Sequence, residues 1–148
     1  NGTLQFTSSV PIAGNTFTQA LSKALSITPG DAEKLKHQVG FTNTVEYPNL
    51  KIQMLPALQD LAAEITNILK FHYDHHEDHI GSLILTGGGA KLQHIAEALE
   101  PMLEQYAPLK VTVANPLEHI PNFKETELGP YEALSFTTAI GLAMWEIK

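Results

Sequence analysis

Three consecutive glycines, Gly87-Gly88-Gly89, follow directly after a short apolar segment, residues 82–86. Glycine has no Cβ, so a flat ligand can lie directly against the backbone of such a run. The apolar pattern that begins after the glycines predicts a helix, and a helix start offers free N–H groups. Lys91 comes two residues later and could lay its aliphatic stem along a purine. The segment therefore predicts a turn that faces a nucleotide.

A structural interpretation of the same glycines is a tight strand-to-helix turn, which α/β folds need in any case. The dinucleotide-binding fingerprint is excluded, because it requires a third glycine where this chain has Leu92. The turn is therefore expected to face an adenine or a ribose rather than to hold a pyrophosphate.

A carboxylate and an ammonium group stand three residues apart at Glu33 and Lys36. On a helix this spacing places both side chains on one face, beside the apolar stripe. An acceptor next to a donor suits the paired hydroxyls of a ribose. The alternative is a solvated ion pair that stabilises the helix by only about 0.2–0.5 kcal/mol, and this segment alone favours that alternative.

A group of histidines occurs near the predicted end of a long helix. Histidines at i and i+4 can chelate a transition metal, but no distant cysteine or carboxylate completes a site here. Histidines near a helix C-terminus also complement the helix dipole. We therefore predict no metal site for this group, which comprises His72, His75, His76 and His79.

The composition of the 148 residues excludes several classes of function. The formal net charge of −7 opposes binding to nucleic acid and to anionic lipid. No run of eighteen apolar residues predicts a membrane span, and the absence of cysteine excludes disulfides. Asn1-Gly2 is a favoured hairpin turn, which predicts a partner strand before it and hence a fragment of a longer protein.

The periodicity of apolar residues predicts alternating strands and helices. Helix-start signals stand at Thr16 and Thr28, and Gly40 is a stop signal for the second helix. An apolar stripe predicts a long helix from about Pro56. The predicted fold class is α/β with a mostly helical insertion. We predict strands at 3–12, 80–86 and 109–114, and later helices at 92–103 and 133–145.

Four passages, residues 10–21, 32–40, 83–92 and 139–143, together resemble the C-terminal half of an actin-like ATPase. This superfamily unites sugar kinases, heat-shock chaperones and actin, and its fold is ribonuclease-H-like. The resemblance is nearest to the PilM family of type IV pilus assembly proteins, with the FtsA cell-division proteins as near relatives. It spans essentially the whole chain. One departure is Ala13, where the family has glycine.

The resemblance implies an actin-like half-domain with an inserted, mostly helical subdomain. Residues 1–28 and 80–148 would form subdomain IIA, and residues 29–79 the smaller subdomain IIB. It also implies that Glu33 and Lys36 contact the ribose or adenine of ATP. Gly87, Gly88 and Gly89 would lie beneath the nucleoside, and Lys91 would lie beside the base.

The resemblance further implies ATP with Mg²⁺ as the cofactor of the full-length parent. The family's phosphate-gripping loops lie upstream of this segment, so the chain alone is expected to be inactive as an ATPase. The implied partner is the cytoplasmic tail of a PilN-like inner-membrane protein, bound by the other lobe. We expect a cytoplasmic location, peripheral to the inner membrane. Self-association stays open, and the alternatives are an FtsA-like fragment or an unrelated α/β nucleotide-utilising enzyme.

Overall fold

The computed structural model describes residues 4, 6–11, 14–42, 44–104, 108–118, 120 and 128–145, in which helices dominate and two strands form a small sheet. The elements in chain order are α1 (Gly14–Leu25), α2 (Pro29–Val39), α3 (Leu50–His76), β1 (Ser82–Leu85), α4 (Ile95–Leu103), β2 (Lys110–Val113), α5 (Pro130–Ala133) and α6 (Thr137–Trp145).

The two strands are parallel, with Leu83 opposite Val111. Helix α4 lies between them in the chain, as the connection between parallel strands requires, and it packs against β2. Both strands were predicted from their apolar runs and are confirmed with slightly narrower bounds. Ile84, which points to the opposite face from Leu83, is 64% exposed.

Helix α2 has the ends that its sequence predicts. The Thr28 hydroxyl oxygen accepts a hydrogen bond from the Asp31 backbone N–H, and Pro29 occupies the first helical position. Gly40 ends the helix with φ of 53°, a backbone conformation that favours glycine. Local capping chemistry therefore sets both ends of the helix that carries Glu33 and Lys36.

Helix α3 begins at Leu50, six residues before the predicted start at Pro56, so that prediction is wrong. The apolar side chains of Leu50 and Met54, one turn apart, are both buried and anchor the early turns in the core. Pro56 is accommodated inside the helix. At the other end the helix stops at His76, among the histidines where the prediction placed its end.

The predicted strand at residues 3–12 is wrong for the part of it that the structure describes, namely Leu4 and residues 6–11, which form no strand. A strand needs a partner for its backbone hydrogen bonds, and in the described chain the ladder joins β1 to β2 alone. Leu4 is exposed, while the Phe6 ring lies 5.0 Å from that of Phe71. The Asn1-Gly2 turn lies outside the described residues.

One hydrophobic core joins α1, α2, α3, α4 and β2. Its largest fully buried side chains are Leu21, Met54, Leu58, Leu99 and Leu103. Helices α1 and α2 pack on each other, and α1 also packs on α3. The division at residues 28 and 80 into subdomains IIA and IIB stays a prediction.

Helix α6 contributes no buried side chain to this core, and its Leu142 and Trp145 are 69% and 79% exposed. Within the described ranges, no helix has the length and apolar character needed to cross a membrane.

Candidate functional site

The glycine-rich segment after β1 forms a turn of 3₁₀ helix, Gly88–Lys91, and not the start of an α-helix. Gly87 has φ of 79°, and its carbonyl accepts a 3.2 Å hydrogen bond from the Ala90 N–H. Helix α4 starts only at Ile95. The prediction that a helix follows the glycines directly is therefore wrong, because this separate turn intervenes.

The backbone of this turn is bare. A Cβ atom built on Gly88 or on Gly89 would meet no other atom within 4 Å. The glycines are therefore not required by close packing inside the protein, and the space beside them is free for a ligand.

Lys36 extends from α2 into the junction with α1, where the residue is only 3% exposed. Its Nζ donates hydrogen bonds to the Gly14 carbonyl at 3.2 Å, to the Thr18 hydroxyl at 2.9 Å and to Glu33 Oε2 at 2.6 Å. A buried ammonium is costly unless it is paired, and these three acceptors satisfy its three protons. The pair of Glu33 and Lys36 is therefore not the solvated surface pair that the sequence favoured.

The Glu33 carboxylate is the partly exposed member of the pair, with 46% of its side chain accessible. Oε2 also accepts a hydrogen bond from the Thr18 hydroxyl, and Oε1 lies 3.0 Å from His37 Nε2. Desolvation acts to raise the pKa of Glu33. Hydrogen bonds from Lys36 and Thr18, the Lys36 charge and the bond with His37 outweigh it and lower the pKa from 4.5 to about 2. The carboxylate is therefore ionised at any physiological pH.

These groups border one cleft of about 550 Å³, a volume within the usual range for small-molecule sites. The structure brings five of the six predicted site residues to it, whereas Gly87 is not among its lining residues. Helices α1 and α2, the glycine turn and the segment after α5 line the cleft through Gly14, Asn15, Glu33, Lys36, His37, Gly88, Gly89, Lys91 and Ser135.

Lys91 is held by Tyr131 of α5. The Tyr131 hydroxyl donates a hydrogen bond to the Lys91 carbonyl, and Lys91 Nζ lies 5.5 Å from the centroid of the Tyr131 ring. Burial, with the negative charge of Glu132, raises the pKa of Tyr131, so the hydroxyl stays protonated and keeps donating. A cation over an aromatic ring adds about 0.5–1 kcal/mol at an exposed site. Tyr131 therefore fixes the end of the glycine turn.

A smaller apolar pocket of about 150 Å³ adjoins the cleft, since both are bordered by Gly14 and Gly89. Phe17, Leu61 and Leu85 are among its other lining residues. The cleft therefore passes from a polar wall on α2 to an apolar recess beneath the glycine turn.

Thr18, Tyr131 and His37 are among the contributors to this site that were not predicted from the sequence. Thr18 and Tyr131 have partners 15 or more positions away in the chain, so no local pattern reveals them. His37 was recognisable in principle, because it follows Glu33 by four residues, a spacing that places both on one helix face.

The histidines near the end of α3 interact as rings. The His72 and His76 rings are tilted to each other with centroids 4.7 Å apart, the His75 and Phe71 rings are likewise tilted with centroids 4.1 Å apart, and Tyr73 stacks on His79 at 4.5 Å. Across the described residues, no three or more histidine, cysteine or carboxylate side chains are grouped as a metal site would need.

Comparisons with known proteins identify the family. The family model described as Type IV pilus assembly protein PilM matches residues 1–147. No curated protein matches the chain. A solved structure titled PilM-PilN type IV pilus biogenesis complex contains a similar chain, with 25% identity and a TM-score of 0.71.

The alignment with that structure covers 93% of this chain but 38% of the other, so the chain spans well under half the length of its structural relative. The helix-rich fold with a small sheet is thus similar to that of a solved PilM structure. Because the family model matches nearly every residue, the chain belongs to the PilM family of type IV pilus assembly proteins.

Proposed function

We propose that this protein is an ATP-binding, actin-like scaffold of the inner-membrane platform that assembles type IV pili or type II secretion systems. The described cleft would contact the nucleoside of ATP. The observation that carries the proposal is that Glu33 and Lys36 border the same cleft as Gly88, Gly89 and Lys91. These groups come from segments some fifty residues apart in the chain.

The lining suits a nucleoside chemically. A planar base needs a flat surface, and the free space beside Gly88 and Gly89 offers bare backbone. Glu33 presents an ionised acceptor for a ribose hydroxyl. Lys91, fixed by Tyr131, would flank the base with its aliphatic stem.

The lining does not suit Mg²⁺. This ion prefers oxygen ligands and is usually bound by one or two carboxylates together with substrate phosphates. Glu33 supplies the one carboxylate among the described lining residues, and it is already paired with Lys36. We therefore assign no magnesium ligand to these residues; the ion would have to be bound by the phosphates and by groups outside this segment.

The wider proposal concerns architecture and partner. We propose an actin-like half-domain whose subdomain IIA comprises residues 1–28 and 80–148, with residues 29–79 as the inserted subdomain IIB. The relative solved with PilN supports a PilN-like cytoplasmic tail as the partner, bound outside these 148 residues. Such a partner would hold the protein at the cytoplasmic side of the inner membrane.

The test is ATP binding by the full-length protein, measured by isothermal titration. We expect Glu33→Ala to weaken binding about tenfold or more, since a hydrogen bond to a charged group contributes about 1.5–3 kcal/mol. Lys36→Ala should also weaken binding, because Glu33 loses the partner that orients it. Lys34→Ala is the matched control, because Lys34 is an exposed neighbour on the same helix. Unchanged affinity in Glu33→Ala would remove the nucleoside assignment.

A further inference from the structure

The network around Glu33 assigns separate tasks to its members. We infer that Thr18 and Lys36 are positioning residues, which hold Glu33 so that one oxygen atom, Oε1, accepts a hydrogen bond from a single ribose hydroxyl. In this arrangement neither positioning residue touches the ligand. The inference rests on the proposed function, in which the cleft binds a nucleoside.

Lys36 has no donor left for a ligand. Its ammonium carries three protons, and three oxygen atoms of Gly14, Thr18 and Glu33 lie within hydrogen-bonding distance of it. With the residue 3% exposed, a ligand contact would require breaking one of these bonds and leaving a buried acceptor unpaired. The Lys36 charge therefore acts on the ligand through Glu33.

Thr18 completes the clamp from α1. The residue is 3% exposed, and its oxygen accepts from Lys36 at 2.9 Å, so its own proton is available for Glu33 Oε2. The Gly14 carbonyl, at 3.2 Å, is the other acceptor within reach, but the Glu33 carboxylate is closer and charged, which makes it the stronger acceptor. The buried hydroxyl thus links the cation and the carboxylate and fixes the orientation of both.

The acceptor capacity of Glu33 is nearly filled. A carboxylate offers about four lone-pair sites. Lys36 and Thr18 occupy the two on Oε2, and His37 occupies one on Oε1. One site on Oε1 stays open at the partly exposed end of the side chain. Glu33 can therefore accept one ribose hydroxyl while His37 keeps its place, not the vicinal pair.

A measurable asymmetry follows. Of the 2′- and 3′-hydroxyls, one should contribute strongly to affinity and the other little. Full-length protein titrated with ATP, 2′-deoxy-ATP and 3′-deoxy-ATP should bind one deoxy analogue about tenfold more weakly than ATP, the loss expected for one hydrogen bond to a charged acceptor. The other deoxy analogue should bind within about twofold of ATP.

The variant Thr18→Val keeps the volume of the side chain but removes the proton that holds Oε2. We expect the discrimination between the two analogues to fall several-fold in this variant. Thr18→Ser retains the hydroxyl and should preserve it. A purely structural role would weaken all three nucleotides alike and leave the ratios unchanged.

The outcomes separate the two proposals. If the wild-type protein does not bind ATP, the proposed function fails. If it binds ATP but both deoxy analogues bind equally well, or if Thr18→Val keeps the wild-type ratios, the positioning inference fails while the nucleoside site stands. Should circular dichroism show Thr18→Val to be unfolded, Thr18→Ala decides by the same ratios.

Discussion

Glu33 and Lys36 have opposite environments although they are adjacent on one helix face. The ammonium is buried and fully hydrogen-bonded, whereas nearly half of the carboxylate side chain is accessible. Burial of a charge is tolerated only with such compensation. The exposed anion is therefore oriented from behind by a buried cation, and this arrangement fixes where the acceptor lies in the cleft.

This environment gives a pH-dependent contribution to stability. The pKa of Glu33 is lowered from 4.5 to about 2 in the folded protein, so the stabilisation is complete above about pH 4.5 and is lost as the pH falls through about 2. We expect Glu33→Gln to reduce the free energy of unfolding by about 1 kcal/mol at pH 7, because partial exposure weakens the pair. Urea denaturation should show this difference shrinking toward pH 2.

Glu46→Gln serves as the control for that series, since Glu46 is exposed in the loop before α3. Its unfolding free energy should differ little from that of the wild type at any pH. A difference between Glu33→Gln and wild type that stayed constant down to pH 2 would contradict the assigned role of the ionised carboxylate.

At the residue scale, the sequence predicted that Glu33 and Lys36 share a helix face but not that Lys36 is buried. The spacing of Glu33 and Lys36 follows from helix geometry, which is local. The burial of Lys36 depends on Thr18 and Gly14, which are 18 and 22 positions away. Such contacts exist only once α1 and α2 pack together, so no pattern within one segment could reveal them.

At the scale of the elements, the end of α2 is packed closely against the backbone of Gln93. Gly40 has φ of 53°, and a Cβ atom built there would lie 2.6 Å from both the backbone N and the backbone O of Gln93. We expect Gly40→Ala to lower the free energy of unfolding by about 2–4 kcal/mol, since backbone strain and overpacking add. Thermal and urea unfolding measure the loss.

Gly81→Ala is the matched control for that substitution. A Cβ atom at Gly81 would meet nothing within 4 Å, and its φ is not in the left-handed region. Its unfolding free energy should stay within about 0.5 kcal/mol of the wild type. Equal effects of the two substitutions would contradict the strain and overpacking expected at Gly40.

The elements differ in how well their sequences predicted them. Helix α2 has its cap, its first-turn proline and its terminal glycine in its own sequence, and its bounds were predicted correctly. The start of α3 was not predicted correctly, because burial of Leu50 extends the helix to before the predicted start at Pro56. The predicted strand at 3–12 failed in its described part because strand formation depends on a partner elsewhere in the chain.

At the scale of the whole molecule, we expect the described part of the cleft to be insufficient for phosphoryl transfer. That reaction depends on cations and metal ions that stabilise charge on the phosphates. Among the described lining residues, Lys36 has its donors occupied, Glu33 is paired with it, and Lys91 lies over the Tyr131 ring. We expect the 148-residue chain, incubated with ATP and Mg²⁺, to release no phosphate above the buffer rate. Release that Glu33→Ala abolishes would contradict this expectation.

The contact between Gly40 and Gln93 joins the end of α2 to the segment between the glycine turn and α4. The Phe41 N–H donates a 2.8 Å hydrogen bond to the Gln93 carbonyl, so the segment after α2 is bonded backbone to backbone to the segment after the glycine turn. A side-chain substitution at Phe41 or Gln93 leaves these atoms in place. The spacing of these two segments is therefore set by backbone atoms rather than by side chains.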